Sequence, residues 1–530
     1  MESSAEPALN NPFVEHAELQ LLRGSHAGAL QAARMGLSLS PGHPVLLEIA
    51  ASCASELGDD EFAVACWQHL LEIRPTAAAA RNSLGLALER LGRSLEAETV
   101  YRQALALLPD EPTLHANLGL LLESLGRLDA AEMEQRQALR WSPDSAEIHS
   151  NLAGLLLKLG RDDEAESLYR TAIRLKPEFA VAHSNLGVLL TESRRYAAAE
   201  ACFRLALALQ PDNLQVSTNL GELLLMQGRL AEGWPLYEAR QVIFADAAGG
   251  RLQRPPSCAQ WQGEPLAGKA IIVMPEQGLG DEIQFARYLA WLKAQGPARL
   301  TLVCRPSQQA LLSTLAGPDQ VISLNEAAPF LAQHDYWVFL LSLPLHAGTT
   351  LATIPAAIPY LFPDAQRQAR FAPELAGHGR RVGLVWKGNP KHLNDAERSL
   401  PGLEVLAPLW TLPGLRFFSV QKSEVDLPRP PELPLTDLAP LIGDFADTAA
   451  ILSQLELLIT VDTSVAHLAG ALGLPCWLLL SAHKTDWRWL QARSDSPWYP
   501  SLRLFRQTRR GDWQAPVAEL QEALRLWLAD

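Results

Sequence analysis

The sequence predicts an all-α helical-repeat superhelix followed by an α/β region of two open, mainly parallel sheets. Three observations predict it. A frame of prolines and small residues keeps a step of 34 through the first 240 positions. That period fails after Phe244, where proline and glycine accumulate. From Ala270 onward, short apolar runs alternate with helical stretches, which is the signature of parallel strands joined by crossover helices.

Composition bounds the possibilities. The 530 residues suffice for about three domains, since single cores stop growing near roughly 250 residues. With 48% hydrophobic and 20% charged residues, a folded chain is expected. The net charge of −14 lies mostly in the first 240 residues, with 20 basic and 32 acidic side chains. So acidic a chain is a poor nucleic-acid binder, because phosphate contacts need clustered cations. Six dispersed cysteines, none at zinc or redox spacing, point to a reducing compartment. The first 13 residues show no leader, and no apolar run reaches the ~18 residues of a membrane span. A cytoplasmic protein is expected.

The repeat frame occupies residues 14–240. Prolines stand at Pro41, Pro75, Pro109, Pro143, Pro177 and Pro211, where they end the second helix of each pair. Leu84, Leu118, Leu152, Leu186 and Leu220 each precede a glycine or alanine that lets two helices approach closely. A second glycine turns the chain at Gly24, Gly58, Gly92, Gly126, Gly160 and Gly228, with Arg194 as the one break. Alanines from Ala29 to Ala199 complete the frame. The pattern matches the tetratricopeptide repeat (TPR), which implies six or seven helical pairs in a right-handed superhelix with a concave face that binds polypeptide. The residue before each repeat leucine is Asn117, Asn151, Asn185 and Asn219, with Ser83 one copy earlier. An amide offers donor and acceptor together, which suits gripping an extended peptide backbone; the alternative is that each asparagine bonds only its neighbouring repeat.

Residues 241–268, with Pro255, Pro256 and Pro265, read as a linker, and residues 269–366 as the first α/β domain. Its opening strand, Ile271–Met274, runs into Gly278 and Gly280, which let the backbone turn tightly and approach a ligand. Asp281 follows where a helix begins; it reads either as a helix cap or as a reactive carboxylate. Further strands are expected at Leu300–Cys304, Gln320–Leu324 and Tyr336–Leu340. The second α/β domain spans 376–530. Strand Arg381–Trp386 opens into a basic, glycine-bearing loop with Lys387, Asn389 and Lys391; strand Leu415–Val420 runs into Lys422. Strand Leu457–Val461 opens into Asp462, Thr463 and Ser464 at a helix start that also carries His467. Hydroxyls and free N–H groups there make a phosphate site. Four of the eight lysines (Lys387, Lys391, Lys422 and Lys484) fall in loops leaving strands of this domain, which favours an anion site. The aromatic tail from Trp487 to Trp513 is expected mainly in packing, with one ring free to cover a base, and helix 516–529 to cross back onto the first domain.

Gly-x-Gly-Asp in the first domain and Asp-Thr-Ser-x-x-His-Leu-Ala-Gly-Ala-Leu-Gly in the second resemble the GT-B glycosyltransferases, two facing Rossmann-like domains, and the heptosyltransferase-like family above all. Preceded by repeats, the chain is similar to bacterial TPR glycosyltransferases and in layout to the protein O-GlcNAc transferases, whose superhelix carries a similar asparagine ladder. The resemblance implies Asp281 as the base. It implies a nucleotide sugar held by Gly278, Gly280, Lys387, Asn389, Lys422, Asp462, Thr463, Ser464 and His467, and a polypeptide acceptor recruited by the repeats. No Asp-x-Asp motif stands in a suitable loop, consistent with metal-independent transfer and no cofactor. A saccharide or lipid acceptor, or an inactive scaffold, are the alternatives.

Overall fold

The structure, a computed structural model, describes residues 11–241, 257–392, 394–422 and 433–529. Most of the linker expectation and the first ten residues of the leader expectation lie outside the described residues.

Fourteen helices, α1 (Pro12–Leu22) to α14 (Leu230–Tyr237), form seven consecutive pairs among the described residues. From α3 (Pro44–Glu56) to α13 (Leu214–Met226) the first helix of each pair recurs at the 34-residue step. The mechanics follow the frame. Each turn glycine of the series lies at φ between 73° and 79°, a left-handed conformation that glycine adopts without a Cβ penalty. Arg194, the break in that series, takes the same conformation at φ 59°. The alanines Ala29, Ala63, Ala97, Ala131, Ala165 and Ala199 are all fully buried. At Gly85 a Cβ would stand 2.5 Å from the Tyr101 ring, so the close approach of paired helices needs the missing side chain. Side-chain caps at Ser25, Asp59, Ser145 and Asn213 satisfy free N–H groups where helices start.

The chain folds as two compact units: one ends at Leu190 and includes residues 208–210, and the other holds residues 191–207 and those from Pro211 onward. The repeat period and the compact units therefore do not share a boundary. The last helical pair, α13 and α14, belongs with the α/β region. Trp234 and Tyr237 of α14 share one core with Ile271, Phe285, Trp487 and Trp498.

That region holds two parallel sheets. The first comprises β1 (Ala259–Gln260), β2 (Ala270–Met274), β3 (Arg299–Cys304), β4 (Gln320–Ser323) and β5 (Tyr336–Phe339), in the order β1-β5-β2-β3-β4. The second comprises β6 (Arg380–Val385), β7 (Leu415–Ser419), β8 (Leu435–Asp437), β9 (Leu457–Val461), β10 (Cys476–Leu480) and β11 (Leu502–Arg506), in the order β11-β10-β9-β6-β7-β8. Counted along the chain, the second sheet runs 3-2-1-4-5-6, the doubly wound order. Its order reverses between β6 and β9, and the first sheet's between β2 and β5. The glycine loop follows β2 and the Asp462 loop follows β9, so each lies at a switch point, where open α/β sheets bind ligands.

The seven expected strands are present within a residue or two of their expected bounds. Four were not expected: the edge strands β1 and β8, and β10 and β11 in the aromatic tail. The C-terminal helix Gln514–Ala529 packs on the second sheet, with Val517, Leu520 and Leu524 in the core shared with Phe505 and Leu403, and not on the first. No helix among the described residues is long and apolar enough to cross a membrane. None of the six cysteines is in a disulfide with another described residue.

Candidate functional site

Two short helices bring the switch-point loops together. Helix Leu279–Phe285 leaves the glycine loop, and helix Ser464–Leu472 leaves the Asp462 loop. They meet at their N-terminal ends: a Cβ on Gly280 would lie 2.6 Å from His467 Cδ2 and 3.4 Å from Ser464 Cα. No side chain caps the start of helix Ser464–Leu472 at Thr463. Free N–H groups and the positive end of the helix dipole therefore face the junction.

Asp281 is bonded on both oxygens. Oδ2 accepts the Gly278 N–H at 2.6 Å, so Asp281 is not the cap residue itself but reaches back to it from the first turn of the helix. Oδ1 accepts from Nη2 of Arg488, a residue 207 positions away. Arg488 is buried, and its Nη1 donates to both oxygens of Asp486 at 3.0 and 2.9 Å. Its Nε has no partner among the described residues. Burial alone would lower the Arg488 pKa, but Asp281 and Asp486 together hold it above its ordinary value. Burial would raise Asp486, yet Arg488 carries it below the usual carboxylate range.

Two further carboxylates stand around this pair. Burial, and then Asp486, push Asp462 up to about 6. Glu222, on α13 of the last repeat, is pushed up to about 7 by burial and Asp486. The turn Trp487–Trp489 packs against α13, which is how the repeat reaches the site. His467 is buried, stacks on Trp489 with centroids 5.2 Å apart, and has Nδ1 3.2 Å from the Tyr499 hydroxyl. Burial and Arg488 drive its pKa down to about 3, so the imidazole is neutral at physiological pH.

The structure thus brings Gly278, Gly280, Asp281, Asp462, Ser464 and His467 to one place, with Thr463 as the helix cap position. Two of the lysines are less directly placed. Lys387 Nζ donates to the Pro401 carbonyl at 3.0 Å, and Lys422 Nζ to the Ile442 carbonyl at 2.6 Å. Gln421 joins their loops, accepting the Trp386 and Lys387 N–H groups and donating to the Lys387 carbonyl. Asn389 is exposed and accepts the Lys391 N–H at 3.0 Å, an Asx turn. A cleft of about 470 Å³ opens beside Lys387, Ser399, Arg510 and Trp513, and no residue of the glycine loop or of Asp462–His467 lines it.

Sequence reasoning missed Arg488, Asp486, Gln421 and Tyr499. The signal for Arg488 was present: a cation between two tryptophans in an apolar tail must be buried and paired. The same tail offers no ring to a base, since Trp487, Trp489, Trp498, Tyr499, Phe505 and Trp513 are all buried. Arg287 ties that tail to the glycine-loop helix, donating to the Trp498 carbonyl at 2.7 Å and lying 4.6 Å from the Tyr499 ring centre.

The four asparagines are half-buried. Asn117 donates to Asn82 of the preceding repeat at 2.8 Å, Asn185 bonds the Tyr169 hydroxyl, and Asn219 accepts from Gln215 at 2.9 Å. Part of the amide capacity is therefore spent within the repeats.

Models of the tetratricopeptide repeat match residues 56–112, 110–178 and 185–247. The N-terminal region is a TPR array. Among curated proteins the chain is 29% identical over 327 residues to Protein FlbA of Caulobacter vibrioides, covering 57% of this chain and 53% of FlbA. It thus spans about half the length of that relative. Among solved structures, a thermophilic TPR protein of Thermus thermophilus is 26% identical at a TM-score of 0.30, covering 34% of this chain and 98% of that one. A tetratricopeptide repeat protein from Parabacteroides merdae is 19% identical at a TM-score of 0.35, covering 39% and 81%. Tetratricopeptide repeats suggest protein–protein interaction.

Proposed function

We infer that this protein is a GT-B-type glycosyltransferase that moves a sugar from a nucleotide-sugar donor to a polypeptide hydroxyl recruited by the repeats. The observation that carries this reading is the meeting of two switch points. Two parallel sheets present Gly278–Asp281 and Asp462–His467 to each other, helix start to helix start. In the proposed reaction the acceptor oxygen attacks the anomeric carbon and the bond from that carbon to the diphosphate breaks. The nucleoside diphosphate leaves with the electron pair, and the hydroxyl proton passes to Asp281. Thr463, Ser464 and the uncapped helix start hold the diphosphate, with Lys387, Asn389 and Lys422 on the neighbouring loops. Asp462 bonds a donor hydroxyl, and neutral His467 donates or accepts without adding charge. No metal or cofactor is part of the proposal.

Thermal shift against UDP-, GDP- and ADP-sugars tests it. A donor at about 100 times its Kd adds roughly 2.7 kcal/mol of stability. No shift with any donor refutes the transferase and leaves the interaction role of the repeats. Labelled sugar from a bound donor should then appear on proteins retained by the repeats, and Asp281→Asn should abolish that transfer.

A further inference from the structure

We propose that Arg488 is a further diphosphate ligand of the donor site and that Asp281 and Asp486 occupy it in the ligand-free state, so that donor binding itself releases Asp281 to act. The inference rests on the transferase reading and adds to it a residue and an order of events. Arg488 is buried at 3% exposure, yet its two terminal nitrogens are spent on carboxylates from opposite sides of the junction. Asp281 lies in the first turn of helix Leu279–Phe285, after β2, and Asp486 caps the turn Trp487–Trp489. The Nε hydrogen has no acceptor among the described residues. A planar guanidinium with one donor unmet suits a multidentate anion better than the two carboxylates that now hold it.

The surrounding charge sets what must move when an anion enters. Asp281 and Asp486 contact Arg488, while Asp462 and Glu222 stand near enough to feel its field. A diphosphate entering this cluster is repelled by the carboxylates and attracted by the guanidinium, which adds to the helix start and the loop lysines. It binds by taking the guanidinium from Asp281, which then keeps only the Gly278 N–H. Its Oδ1, which accepted from Nη2 of Arg488, is then open to the acceptor's hydroxyl proton. The acceptor hydroxyl therefore finds an active base only after the donor is in place, and donor precedes acceptor.

The test is calorimetric titration of the full chain with UDP, GDP, ADP and inorganic pyrophosphate. If the carboxylates compete for Arg488, removing one raises the fraction of free guanidinium. Asp281→Asn and Asp486→Asn each then tighten binding of the preferred probe, by about tenfold. Arg488→Gln abolishes it. A purely structural ion pair gives the opposite sign, with both asparagine variants binding equally or more weakly than the parent. That result overturns the latch and leaves the transferase reading standing. Asp486, with its side chain 35% exposed, is the safer of the two positions should Asp281→Asn unfold. Failure of every probe to bind the parent and all variants overturns the transferase reading and the latch together.

Discussion

Asp281 and Glu222 show how much one side chain's surroundings decide. Both are carboxylates near Arg488, but only Asp281 is bonded to it. Glu222, half-buried near Asp486, has its pKa pushed up to about 7 from an ordinary 4.5. Between those values the folded chain binds more protons at this group than the unfolded chain does. Its contribution to stability is therefore full below about 4.5 and is lost as pH rises through about 7. Glu222→Gln should leave stability nearly unchanged at pH 4.5. At pH 8 it should raise stability by on the order of 1–3 kcal/mol. Urea melts at both pH values check this, and equal effects at the two would refute it. Asp462, pushed up to about 6, contributes in the same direction.

Among elements, the contact between helices Leu279–Phe285 and Ser464–Leu472 is the most exacting. His467 is pinned by Trp489 and Tyr499, so it has no room to yield to a Cβ on Gly280 at 2.6 Å. Gly280→Ala should cost about 1–3 kcal/mol and lower donor affinity, read by thermal melt and calorimetry. A repeat-wide feature is softer. Glu98, Glu132 and Glu200 each accept from an arginine four residues on and from a second one 29 residues on. The arginines are 35–51% exposed, while only 14–18% of each glutamate side chain is. Glu132→Gln should cost about 1 kcal/mol or less at low salt. The difference should vanish near 1 M salt, where the screening length is about 3 Å.

At the scale of the whole chain, the last repeat belongs energetically to the α/β region. Arg240, fully buried, pairs with Glu276 at 2.7 Å and donates to Ser342 at 3.1 Å, just beyond β2 and β5. Trp234 donates to the Thr349 carbonyl and packs on Trp487 at 5.4 Å. A chain beginning at Thr191 should therefore unfold in one cooperative urea transition. A chain beginning at Ser257 should lose that cooperativity, because it exposes the faces that Trp234, Tyr237 and Arg240 cover. Arg240→Met in the full chain leaves Glu276 buried without its partner and should cost about 3–5 kcal/mol.

The repeats were legible because their determinants are local and periodic. A left-handed turn needs glycine and a close helix contact needs alanine or glycine, so the 34-residue ruler stands in the residues themselves. Seven strands were legible for a similar reason, as apolar runs ended by loops of glycine or charge. Strands β10 and β11 were not, because Cys476–Leu480 and Leu502–Arg506 lie among tryptophans whose apolar density masks any boundary. Gly278, Gly280, Asp281 and the Asp462–His467 stretch could be named one by one from loop chemistry. Only the tertiary structure decided that Gly280 lies on His467, that Arg488 holds Asp281, and that Glu222 of the last repeat stands beside them. Those contacts join residues about 180 to 270 positions apart, and complementarity between distant surfaces leaves no period or spacing in the chain to be read.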